Sequence, residues 1–301
     1  MMYLAYMPAE HTSFTPKAVR ELTRNISLVE NALPGHEELL RSLPATDHSM
    51  VIGVTGPPGA GKSTLVDALI GRYTGQGLKV AVVCVDPSSP FTRGALLGDR
   101  IRMNRWHDHP GVFIRSVATR GSLGGLNPMI IEITALLQAS SFDRVILETV
   151  GVGQSEVEIA GLADVTVVVL VPEAGDEVQA MKAGIMEIAD IFVVNKCDRP
   201  DADAFLGNLR SRLLPEGKEE IPVIKAVATT GAGIEALQEA IEHHLSSERS
   251  MEKKVTLLTE KAWQLIRQKR MQGLDRNAIA EKIRGSLNKG GLQLFRFIEG
   301  F

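Results

Sequence analysis

Residues Gly56-Pro57-Pro58-Gly59-Ala60-Gly61-Lys62-Ser63 have the spacing GxxxxGK[ST]. An apolar run precedes them and the helix-like stretch Thr64 to Leu69 follows. Glycines at this spacing let a backbone wrap with its N–H groups turned inward, and a helix N-terminus adds a field that favours anions. The chemistry predicted is polyphosphate binding. Lys62 would neutralise the β and γ phosphates, Ser63 would ligate magnesium, and Thr64 would begin the helix behind the loop.

Asn195-Lys196-Cys197-Asp198 follows the apolar run Ile191 to Val194. An ionised aspartate only accepts hydrogen bonds, so Asp198 matches a base edge with two N–H donors, as guanine has and adenine lacks. An ordinary turn with a helix cap would explain these four residues alone equally well. The order and separation of the two motifs favour a guanine nucleotide. Ala228-Thr229-Thr230-Gly231 ends a later apolar run, where a loop could close on the base, although a connecting turn explains it as well.

Two carboxylates also end apolar runs: Asp86 after Val80 to Val85, and Glu148 after Val145 to Leu147. Ligands of open parallel sheets gather outside the carboxyl ends of the strands, so these acids are candidates for magnesium and its waters. Asp99 is a third. Glu148 opens E-T-V-G-V-G-Q-S-E, in which Gly151 is spaced to sense a terminal phosphate through its N–H. The residue after Gly151 is Val152, where a water-orienting glutamine often sits, and Gln154 lies further on. That gap predicts slow hydrolysis by the isolated chain.

The elements that must position these residues are legible as a pattern. Short β-rich runs at Met50 to Val54, Val80 to Val85, Val112 to Val117, Arg144 to Leu147, Val165 to Val171, Ile191 to Val194 and Val223 to Val227 alternate with helical stretches. Continuous apolar runs predict strands covered on both faces, hence an α/β, doubly wound, mostly parallel sheet of the P-loop type. Thr15-Pro16 reads as an N-cap and first helical position, with Val19, Leu22, Ile26 and Val29 on one face. After about residue 248 the pattern becomes charged helix, with Leu258, Ala262, Leu265 and Ile266 on one face and Ile279, Ile283 and Leu287 at spacing four. The expected organisation is an N-terminal helical extension (1–48), a nucleotide domain (49–248) and a C-terminal helical arm (249–301).

Of the 301 residues, 44% are hydrophobic and 23% charged, enough for a large core. A net charge of -3 argues against a nucleic-acid coat or polybasic membrane anchor. Two cysteines without a CxxC support neither a disulfide scaffold nor a zinc knuckle and fit a reducing cytoplasm. No stretch reaches the roughly 18 apolar residues of a membrane span, so a soluble protein is expected.

The set G-P-P-G-A-G-K-S, D-P-S-S-P-F (86–91), G-D-R-I-R-M (98–103), R-G-S-L-G-G-L (120–126), E-T-V-G-V-G-Q-S-E and N-K-C-D closely resembles the MeaB/ArgK family, from about residue 16 to 245. These are GTPase chaperones of adenosylcobalamin-dependent acyl-CoA mutases. The resemblance implies GTP and GDP as ligands, with Mg2+ ordered by Ser63, Asp86, Asp99 and Glu148. It implies a first switch around 86–103, a second at 148–156, and a partner-sensing loop at 175–187 whose Gln179 and Lys182 swing toward the nucleotide when the mutase binds. Composition alone favours a solvated helix start for that last loop. The resemblance also implies a homodimer through the C-terminal arm and methylmalonyl-CoA mutase as the partner. Two other expectations are a nickel or zinc metallochaperone GTPase, for which His107, His109 and His243-His244 are the nearest approach to ligands, and a kinase acting on an amino-acid transport component.

Overall fold

The apolar runs become the parallel sheet that their composition predicts. A computed structural model describes residues 15–44, 49–86, 103–119, 126–149, 151, 158–172, 185–213, 221–246, 251–271, 273–288 and 294–298. The strands are β1 (Met50–Thr55), β2 (Val80–Asp86), β3 (Val112–Ala118), β4 (Arg144–Glu148), β5 (Val165–Leu170), β6 (Ile191–Val194) and β7 (Val223–Lys225), in the spatial order β3-β2-β4-β1-β5-β6-β7. Every pairing among them is parallel. The phosphate loop therefore leaves the central strand, between β4 and β5.

Alternate residues of each strand feed opposite layers. Ile52, Val54, Val82, Ile146, Val167 and Val193 pack with α3 (Lys62–Gly75) and α7 (Ile234–Ser246). Val51, Val83, Val145 and Leu147 pack on the other face with α1 (Pro16–Glu30) and α4 (Ile130–Gln138). In chain order α2 (His36–Arg41) follows α1, and it packs with α1 and α4. Phe192 and Leu170 share a third cluster with α6 (Ala202–Leu213), which follows the short α5 (Ile185–Ile188). Thr15 caps α1 through a bond from the Ala18 amide to its hydroxyl at 3.2 Å, with Pro16 in the first turn. Leu22, Ile26 and Val29 are its buried stripe. Burying three such side chains contributes roughly 4 to 9 kcal/mol before ordering entropy is subtracted.

The strand edge opposite the phosphate loop is fixed by a repeated device. Asp143, Asp164 and Asp190 each precede a strand, and each backbone N–H donates to the carbonyl of a residue in the neighbouring chain segment: Lys79, Val51 and Thr166. Each Asp carboxylate accepts the N–H of that same residue, at 2.7, 2.7 and 2.9 Å. Such reciprocal, charge-assisted pairs set where β4, β5 and β6 start against their neighbours. On the α3 side, Arg72 reaches Glu235 and Gln238, and Arg144 grips Glu242 with two N–H groups. The bonds from Arg72 dock α7 on the phosphate-loop helix, and those from Arg144 dock it on β4.

Glu132 of α4 is buried, and its Oε2 has no hydrogen-bond partner among the described residues. Burial pushes its carboxyl above the ordinary range, against weaker opposing effects from its own backbone N–H and from His36. Below the ordinary carboxylate range both folded and unfolded forms hold the proton. As pH rises the unfolded chain releases it first, so stability falls. Glu132→Gln should therefore raise the melting temperature at pH 7, by an amount equivalent to about 1 kcal/mol, and the gain should vanish near pH 4. Thermal melts of both proteins across that range check it.

The chain divides into two compact units, Met1–Leu257 and Leu258–Phe301. The division falls inside α8 (Met251–Met271), which is followed by α9 (Arg276–Asn288) and α10 (Leu294–Ile298). β7 stops at Lys225, short of the run that extends to Val227 in the sequence, because Val227 turns back to pair antiparallel with Ala232.

Candidate nucleotide site

β1 ends at Thr55, the loop turns through 56–61, and α3 starts at Lys62. Gly61 has φ +86°, and a Cβ there would strike the Asn195 amide. Lys62 lies back over the loop, its ammonium donating to the carbonyls of Gly56 at 2.9 Å and Pro57 at 3.0 Å. Ala60 and Ser63 are buried, while Pro58 and Gly59 are exposed and Thr64 is half-buried. A polyphosphate would meet a helix N-terminus, a glycine-rich backbone and a buried cation together.

One of the acids at the strand ends reaches the start of the helix behind this loop. Glu148 is 3% exposed and accepts a 2.7 Å hydrogen bond from the Ser63 hydroxyl. The Cys84 thiol lies 3.9 Å from its other oxygen, across the pairing of Cys84 with Glu148 between β2 and β4. Asp86, also 3% exposed, ends β2 two residues beyond Cys84. Ser63 and Glu148 offer hard oxygen donors of the kind that suits magnesium, which keeps several waters and phosphate oxygens in its shell, and Asp86 ends the strand next to β4.

The segment after β4 returns to the loop. The Thr149 N–H donates to the Val54 carbonyl at 3.1 Å, and the Thr149 and Thr55 hydroxyls lie 2.9 Å apart. Gly151 has φ +83°, and a Cβ there would collide with the Gly56 carbonyl and the Lys62 ammonium. A left-handed residue pressed this closely against backbone must be glycine.

On the other side of β1, Asn195 ties three segments together. Its amide nitrogen donates to Ala60 O at 2.8 Å and its carbonyl oxygen accepts from Ala228 N at 3.0 Å, while its own N–H reaches Leu170 O. Lys196 turns through φ +58°. The Cys197 N–H donates to Ala226 O, and its thiol donates to Val194 O at 3.0 Å. Burial pushes that thiol above its ordinary range, with the Ala226 contact and Lys225 opposing. Asp198 and Thr229 stand exposed at the tips of these two loops.

Residues predicted from the phosphate loop, the ends of β2 and β4, and the loop at Asn195 thus share one sheet edge. Asp99, Gln154, Gln179 and Lys182 lie outside the described residues. Thr55, Thr149 and Cys84 carry contacts that motif spacing did not single out. The visible signal was a threonine directly before the glycine loop and another inside E-T-V-G. Asn127 was also missed: its amide donates to Ala118 O and its oxygen accepts from Met129 N, joining the end of β3 to α4. Two of the histidines suggested for nickel or zinc have other contacts. His109 Nδ1 accepts from Gly111 N, and His244 pairs with Asp190 at 3.3 Å. No group of three or more His, Cys, Asp or Glu side chains placed to hold a metal occurs among the described residues.

The model of the family described as methylmalonyl-CoA mutase-associated GTPase MeaB matches residues 22–283. A Pyrococcus horikoshii protein named for a GTPase is 46% identical over 281 residues, covering 90% of this chain and 86% of its own. The Caenorhabditis elegans mitochondrial methylmalonic aciduria type A homolog is 41% identical over 175 residues, 58% of this chain and 42% of its own. The crystal structure of an LAO/AO transport system kinase superposes with TM-score 0.67 at 25% identity over 98% of each chain. A phosphate loop, buried strand-end acids and an Asn-Lys-Cys-Asp loop, brought together in a chain that the family model covers almost throughout, are those of a GTPase, and the chain belongs to the MeaB family of methylmalonyl-CoA mutase-associated GTPases.

Proposed function

We propose that the protein is a magnesium-dependent GTPase chaperone that gates adenosylcobalamin loading of an acyl-CoA mutase, of the methylmalonyl-CoA mutase type, and protects that enzyme. The observation that carries this is the seating of Gly151 against Gly56 and Lys62. It supports a terminal-phosphate sensor built into the phosphate loop, while the neighbouring residue is Val152 rather than a water-orienting glutamine. In this reading GTP and GDP stabilise different placements of the segment after Glu148, and that difference is what a partner detects.

Lys62 neutralises the β and γ phosphates, the loop amides hold their oxygens, and Asn195, Lys196 and Asp198 hold and select the base, with Ala228 and Thr229 closing over it. Ser63, Asp86 and Glu148, together with Asp99, would hold magnesium, which supplies charge neutralisation on the phosphate oxygens. Gln179 and Lys182 complete the hydrolytic site when the mutase binds. The family description and the name of the nematode relative support the choice of partner. Exposed Val255, Leu258, Trp263 and Ile266 on α8 support a homodimer through the C-terminal arm. No described helix is long and apolar enough to cross a membrane, and neither nucleic acid nor membrane is proposed as a partner.

The test is GTP turnover with and without an adenosylcobalamin-dependent mutase from the same cell. Hydrolysis should be slow alone and rise by roughly 10²-fold with the mutase, the scale of adding a missing catalytic group. Fast turnover by the isolated chain, or a rate that the mutase leaves unchanged, overturns the proposal.

A further inference from the structure

We infer that the buried hydroxyl pair of Thr55 and Thr149 is a fixed pivot that positions Gly151 for the terminal phosphate, so that both threonines set GTP-over-GDP discrimination without touching the nucleotide. The inference rests on the nucleotide-site reading above and adds the residues by which that site holds its sensor.

β1 and β4 are neighbours whose pairing ends at Val54 with Glu148. One residue further, the Thr149 N–H still reaches Val54 O, and the two hydroxyls meet at 2.9 Å with their residues 0% and 2% exposed. Beyond that bond the chains part. Thr55 leads into the phosphate loop, and Thr149 leads within two residues to Gly151, which comes back against Gly56 and Lys62. The hydroxyl bond thus closes a small ring of chain: Thr55, Gly56, the contact to Gly151, and back to Thr149.

A sensor must move with the γ-phosphate while its mount stays still. Strand ends open more easily than strand centres, and a side-chain bond across the last pair opposes that. Both hydroxyls are buried, so exchange of this bond for water is disfavoured. Glu148, next to Thr149, is held separately by Ser63. The threonine pair therefore fixes the exit direction toward Gly151, while Ser63 fixes the acid. Loss of the pair should affect the γ-phosphate contact more than the α and β phosphates, which the loop and helix hold by themselves.

Thr149→Val keeps the β-branched shape and removes the hydroxyl. Binding of a non-hydrolysable GTP analogue should weaken roughly 10-fold, GDP binding should change by less than about 2-fold, and kcat should fall with it. Thr149→Ser should restore the discrimination. Thr55→Val should act like Thr149→Val, and the double variant should be no worse than either alone, because both remove the same bond. Equal losses for GDP and the GTP analogue, no loss, or additive losses would overturn the inference. Residue-resolved amide exchange on the unaltered protein tests it without a variant. The Thr149 amide should stay equally protected with GDP and with the analogue while Gly151 changes, and a Thr149 amide that loosens with the sensor would sink the idea. If the unaltered protein fails to bind GTP, the underlying site reading fails. If it discriminates normally and the variants do too, only the pivot fails.

Discussion

Lys62→Ala is expected to lower kcat/KM for GTP by roughly 10³-fold, the scale of removing one buried charge-stabilising donor from a reacting centre. The ammonium is buried and already directed at the loop's mouth by the carbonyls of Gly56 and Pro57. Phosphate oxygens are stronger acceptors than those carbonyls, so a bound polyphosphate draws the same donors a short distance without reorganising the helix. Charge accumulates on the phosphate oxygens in the transition state, so the loss should appear in kcat as well as in binding. Arginine should not rescue it. Its planar fork needs room that the backbone of 56–57 and Gly151 occupy. Steady-state hydrolysis of the Ala and Arg variants measures this, with a melting curve to establish that each is folded. A variant that retains full turnover would remove Lys62 from the chemistry.

How much of this was legible before any coordinates depends on the range of the interaction. β2 was readable because Val80 to Val85 is continuously apolar, and a strand buried on both faces has nowhere to place a polar residue until it ends at Asp86. The phosphate loop was readable because its glycines answer a local backbone demand. That Glu148 and Ser63 would share a site followed from one ending a strand and the other opening the helix after the phosphate loop, although motif spacing does not contain their hydrogen bond. The Thr55–Thr149 pair was not readable, since it depends on β4 inserting between β1 and β2, an order that no local pattern encodes. Ala228 shows the same limit. Its sequence left a loop closing on the base and a plain connecting turn equally open, and its place beside Asn195 comes from an amide that Asn195 accepts across 33 positions. That bond also accounts for the early end of β7, because the chain beyond Ala226 serves Asn195 and a turn instead of a ladder partner.

Asp198→Asn is expected to weaken GTP binding by roughly 10²-fold, because a site built to accept two hydrogen bonds then presents a donor to one of them. The loop that carries Asp198 is held in place: Cys197 is bonded to Ala226 and Val194, Arg199 N–H returns to Lys196 O, and Asn195 fixes the loop's root to Ala60. A preorganised acceptor contributes more than a mobile one, so little rearrangement is available to soften the mismatch. The same substitution should create a preference as well as remove one. Xanthine carries a carbonyl where guanine carries its amino group, so the new amide donor matches it. The variant should bind xanthosine triphosphate better than the unaltered protein does, while adenine nucleotides stay weak for both. Competition of GTP, XTP and ATP against a fluorescent GDP analogue separates the possibilities. Unchanged GTP affinity would place the base elsewhere, and ATP winning in the unaltered protein would favour a transport-kinase chemistry over a guanine switch. A switch of preference to xanthine would tie one exposed carboxylate to the base, and with it the choice of nucleotide on which the mutase-linked reading depends.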